Sequence, residues 1–134
     1  MKMLFTLAAA LSTVVSTSAA MATSYTGHWP YTVTNSKGSN GNFCLEVTDD
    51  GSFGWPHSGF GTSSVNGGAF ATFQVIGNRF EVNIQDGGGN GQVEGTVITA
   101  SARNGIVGSG VFTNVLAGES VDSGKVAFGA KGAC

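Results

Sequence analysis

The chain has 134 residues, of which 22 are glycine and only 10% are charged, and its net charge is −2. Its two cysteines form no C-x-x-C, neither of its two histidines sits at ligand spacing, and no basic stripe occurs. That composition argues against a cysteine–histidine metal domain and against nucleic-acid binding.

Residues 1–22 read as a secretory signal peptide. Lys2 precedes an apolar run from Met3 to Leu11, too short for a bilayer span of ~20 residues. Ala20-Met21-Ala22 is an A-x-A cleavage site, with cleavage after Ala20 as the alternative. Residues 23–134 then form a single domain, secreted or periplasmic, with net charge −3 once Lys2 is lost. A domain of this size is marginally stable without help. In an oxidising compartment Cys44 and Cys134 are most simply read as one disulfide.

The remaining chain carries no sustained helical period. It alternates in short runs separated by turn residues, the pattern of an all-β protein. A first strand is predicted from about His28 to Thr34, with Trp29, Tyr31 and Val33 on one face. A second hairpin turns at Asp49-Asp50-Gly51. Phe43, Leu45 and Val47 alternate before that turn, and Phe53, Trp55 and His57 after it. The clearest hairpin spans Ala69–Gln85 around Gly77-Asn78, a turn of the primed type. It puts Ala71, Phe73, Val75, Phe80, Val82 and Ile84 on one inward face. Asn104-Gly105 joins a strand near Gln92–Ala102 to one near Ile106–Val115. The inward face there is ambiguous: Ile98, Ala100, Val107 and Val111 compete with Val97, Ile106 and Phe112. A last strand covers about Gly124–Ala130, with Val126 and Phe128 inward. Gly59–Gly68 and Leu116–Ser123 read as the two longer connections. Eight strands in this order predict an antiparallel up-and-down meander closed into a small barrel, with a two-sheet sandwich as the alternative.

The first strand opens Gly27-His28-Trp29. This G-x-W start resembles that of the calycins, which include lipocalins, avidins and small bacterial periplasmic metalloprotease inhibitors. The resemblance implies a barrel whose Trp29 packs across a closed end, against a basic residue such as Lys125 or Lys131. It implies an architecture and transfers no ligand.

Candidate sites are few. Phe53, Trp55 and His57 share a face of the expected third strand, either filling the core or flooring a pocket. Pro56 cannot donate to a ladder, so the strand is expected to break there and carry Phe60 into a loop at the barrel mouth. Trp55, His57 and Phe60 are therefore the expected ligand-binding residues. Catalysis is not expected. No G-x-S-x-G occurs, and Asp49 and Asp50 read as turn residues. Asp86–Gly91 lacks the lysine and the following helix of a phosphate loop. No cofactor or metal is implied. The expected function is non-catalytic binding of a small apolar or aromatic ligand at the barrel mouth. The alternative is a protein-interaction module: a protease inhibitor, or an adhesive or structural surface protein.

Overall fold

A computed structural model describes residues 24–85 and 94–134. The expected signal peptide and the glycine-rich loop Asp86–Gly91 lie outside the described residues. The strands are β1 (Gly27–Asn35), β2 (Asn40–Val47), β3 (His57–Ser63), β4 (Ala69–Ile76), β5 (Arg79–Gln85), β6 (Glu94–Arg103), β7 (Ile106–Leu116) and β8 (Glu119–Phe128). Each pairs antiparallel with its sequence neighbour, and β8 pairs back to β1, so the meander closes into a barrel. Closure removes the unpaired edges that would otherwise recruit other strands.

The Ala69–Gln85 hairpin forms in the expected register. Ile76 pairs with Arg79 across Gly77-Asn78, and all six predicted inward residues are buried. Gly77 takes φ +62°, the first central position of a II′-type turn. Away from the mouth the inward face is mostly apolar. The outer face carries residues such as Thr32, Thr34, Thr72, Gln74 and Glu81. No helix among the described residues is long and apolar enough to cross a membrane.

The ambiguity in β6 and β7 has a structural cause. The register shifts between Ala100 and Ala102, where Ala100 pairs with Gly110 but Ala102 with Val107. This β-bulge adds a residue to β7 and flips its side-chain parity. Val107 and Phe112 therefore both point inward and are buried, while Ile106 and Val111 are exposed. On β6 the alternation through Ile98 and Ala100 is correct and Val97 is exposed; on β7 neither regular alternation holds, and each supplies one of the two inward residues, Val107 and Phe112.

Two other expectations are corrected. Leu116–Ser123 is a tight turn at Ala117-Gly118 rather than a long connection, and β8 begins at Glu119. The third strand starts at His57, after Phe53 and Trp55 rather than before them. Phe53 and Trp55 are exposed residues of the preceding loop, at 41% and 43%, and do not face the core. The loop makes its own hydrogen bonds. Asp50 Oδ1 accepts from Ser52 N, while Ser58 Oγ accepts from Phe53 N and donates to the Trp55 carbonyl. Gly51 and Gly54 take positive φ within it. Pro56 ends the loop, and the ladder begins one residue later.

Inside the barrel a chain of rings runs along the axis. Tyr25 packs on Phe80, Phe80 on Phe73 and Phe128, and Phe128 on Tyr31, which meets Phe43. Phe73 and Phe80 are stacked at 5.4 Å. Trp29, Leu45, Val47, Ile84 and Ile98 complete the core and are almost wholly shielded from water.

After β8 the chain folds back outside β1. Gly129 N donates to the Pro30 carbonyl and Gly132 N to that of His28. Cys134 thereby reaches Cys44 on β2, with a Cα–Cα distance of 6.0 Å, and the disulfide forms as expected. A bridge closing a loop of this length stabilises by about 4 kcal/mol in the chain-entropy account.

Candidate functional site

The two ends of the barrel differ. One end is plugged. Trp29 is buried there and its Nε1 donates to the Tyr25 carbonyl at 2.9 Å. Lys131 lies over the indole with Nζ 5.9 Å from the ring centroid, and the same Nζ donates to the Ser24 carbonyl. Of the two lysines offered as the basic partner, Lys131 holds this place. Gly27 makes room for it, since a Cβ at that position would lie 2.8 Å from Lys131 Cδ.

His57 belongs to this plugged end. It pairs with Val75 on the inward side of β3, and its ring meets Tyr25 edge-on at 5.2 Å. Its Nδ1 lies 2.7 Å from Asp49 Oδ2. The Asp49 side chain is 3% exposed and accepts two backbone bonds as well, from Tyr25 N at Oδ2 and from Ser58 N at Oδ1. The carboxylate joins the segment before β1, the β2–β3 loop and the start of β3. That is how a buried charge is satisfied. Ser58 is the nearest hydroxyl in sequence, but its oxygen is committed to the loop backbone. The cluster is a structural knot.

Phe60 lies on the outer face of β3, not in a loop at the mouth, and is 47% exposed. Its ring contacts Phe53 at 4.8 Å and Phe70 at 5.6 Å, which makes a short aromatic strip on the outside of the wall.

The other end is open. A cavity of about 350 Å³ lies there, reached between the β1–β2, β3–β4 and β7–β8 connections. Tyr31, Phe43 and Phe112 form its deeper wall, and Val33 and Val65 line one side. Burial pushes the Tyr31 phenol above its ordinary value of 10.0, partly offset by its 2.7 Å hydrogen bond with Ser63 Oγ. The phenol is therefore a neutral group at the cavity floor at ordinary pH.

Part of the mouth is polar. Thr96, Asn114, Asp122 and Asn35 stand on β6, β7, β8 and β1, four consecutive strands of the closed wall. Thr96 and Asn114 are cross-strand partners, as are Asn114 and Asp122. Thr96 Oγ1 donates to Asn114 Oδ1 at 2.7 Å, and Asn35 Nδ2 approaches Asp122 Oδ2 at 3.4 Å. None of the expected ligand residues Trp55, His57 and Phe60 lines this cavity. The polar arc carries no motif in the sequence. Its one available signal was the inward parity of β1, which runs Trp29, Tyr31, Val33 and then Asn35.

No group of three His, Cys, Asp or Glu side chains suited to a metal ion occurs among the described residues. Comparison with family models, with curated proteins and with solved structures returns no match.

Proposed function

We propose that this protein is a small exported, calycin-like barrel that binds a small, largely apolar or aromatic ligand in its open mouth. One observation carries the reading. One end of the barrel is plugged by Trp29 and Lys131, while the other holds a cavity of about 350 Å³ walled by Tyr31, Phe43, Phe112 and Val33. That volume is at the small end of the range for ligand pockets, and an apolar wall with a few polar groups is their usual lining. The G-x-W start, with a lysine over the tryptophan, supports the calycin likeness. The leader-like N-terminus and the disulfide support export.

Neither Trp29 nor Trp55 lines the cavity, so the test needs an external reporter. The neutral dye N-phenyl-1-naphthylamine is expected to brighten on binding the wild-type protein. Val33→Trp, which fills the cavity, is expected to abolish the signal while the protein still melts cooperatively. The rival reading, a protein-contact module, would use the outer strip of Phe53, Phe60 and Phe70. Phe60→Ser combined with Phe70→Ser separates the two. If that variant loses the dye signal and Val33→Trp keeps it, the cavity reading is wrong.

A further inference from the structure

We infer that the mouth cavity selects a ligand whose apolar body carries a primary ammonium, held by Asp122. The inference rests on the cavity reading above and adds the chemistry of the ligand's head. Among the described lining residues Asp122 is the only carboxylate, and no Lys, Arg or His joins it. Lys37, on the nearby β1–β2 turn, makes no ion pair with Asp122. Lys37 shares a neighbouring surface depression with Asp122, so the charge is partly balanced from outside the cavity, but among the described residues no cation pairs with the carboxylate or lines the cavity itself.

The carboxylate is also under-used. Among the described residues, Oδ1 accepts from the adjacent Ser123 N at 2.8 Å, and Oδ2 receives only the long contact from Asn35. An ionised carboxylate has about four acceptor sites, so lone pairs remain for a donor from the cavity. An ammonium supplies three donors and the opposite charge, and a charge-assisted bond of that kind is about twice as strong as a neutral one. The neighbouring amide of Asn114 uses its oxygen on Thr96. The amide is neutral, so Asp122 is the one anionic group among the described lining residues, and a single carboxylate is a poor cage for a divalent ion. Phe43, Val33 and Val65 line the same cavity as Asp122, so one ligand can meet the apolar wall with its body and the carboxylate with its head.

The test is displacement of bound N-phenyl-1-naphthylamine from the oxidised protein at neutral pH. The competitors are 2-phenylethylamine, 2-phenylethanol and 3-phenylpropanoate, which share one ring and differ in the head. The amine is expected to displace at a midpoint roughly tenfold lower than the carboxylate, with the alcohol between them. Asp122→Asn, nearly the same shape, should erase that preference while the dye still binds. Asn35→Asp, which adds a second charge beside the first, should widen it. Equal midpoints in the wild type, or a preference that survives Asp122→Asn, overturn the ammonium inference and leave the cavity reading standing. Failure of the dye itself to bind overturns both.

Discussion

Asp49 and His57 meet at 2.7 Å across the β2–β3 loop, with the carboxylate almost wholly shielded and the imidazole one-third exposed. The carboxylate serves three donors, from residues 25, 57 and 58. Asp49→Ala leaves all three without it at the plugged end. The expected loss is about 2–4 kcal/mol of unfolding free energy, since buried donors are left unmet. Urea denaturation measures it. A loss under about 0.5 kcal/mol, typical of surface substitutions, would show that the knot is not a structural element.

Gly59 on β3 faces the barrel interior, and a Cβ there would stand 1.8 Å from the Thr48 carbonyl oxygen. The obstacle is backbone, so the strands must separate to admit it. Gly59→Ala is expected to cost at least ~2 kcal/mol, in the range of overpacked interiors. Gly38, on the β1–β2 turn, has open space beside it, although its φ of +86° disfavours a side chain. Gly38→Ala is the control for strain without collision, at about 1 kcal/mol. Thermal melts that rank the two equally would remove the collision argument.

Tyr31 makes stability sensitive to alkaline pH. In the unfolded chain a phenol ionises near pH 10. Burial raises that value in the folded barrel, so above pH 10 the native state holds a proton that the unfolded state has lost. Stability from this group is complete below pH 10 and declines as pH rises through the folded value. Tyr31→Phe should flatten this part of the decline in chemical denaturation curves taken above pH 10. It should also lower stability at neutral pH by about 1 kcal/mol, because Ser63 loses its buried partner. Identical alkaline slopes in the two proteins would show that Tyr31 is not the group responsible.

Replacing both cysteines with serine is expected to lower stability by about 4 kcal/mol. Amide exchange should report where the barrel loosens. The β1–β8 pairs from Tyr31↔Phe128 to Asn35↔Gly124 should lose protection before the β4–β5 hairpin does. Uniform loss over both regions would contradict a local role for the bridge.

The parts of the fold legible in the sequence were those where two local signals agreed. In Ala69–Gln85 the alternation and the Gly77-Asn78 turn dictate the same register, and both were correct. In β3 the inward positions after His57 are Gly59, Gly61 and Ser63, so the buried face has almost no hydropathy and the strand is silent to pattern reading. The aromatic residues around it were conspicuous because they sit outside. The bulge in β7 hid a parity change that no alternation rule contains. At the candidate site Tyr31 and Phe43 were visible as inward residues. The polar arc was not, because inward Thr96, Asn114 and Asp122 leave no apolar pattern on β6, β7 and β8, and Asn35 joins them only when β1 meets β8.

Seven of the eight strand pairs follow from consecutive chain, but β1 and β8 meet only because the barrel rolls up. The tail from Gly129 to Cys134 crosses the outside of β1 and is fastened to β2 beyond it. Covalently, residues 44–134 are a hoop, and β1 lies beneath its clasp. While the clasp is shut, β1 cannot swing sideways out of the wall. It can leave only by threading lengthwise, breaking its ladders to β2 and β8 together. Reduction opens the hoop and restores a hinge, so the redox state of one bond decides whether this barrel unrolls like a sheet or resists like a ring.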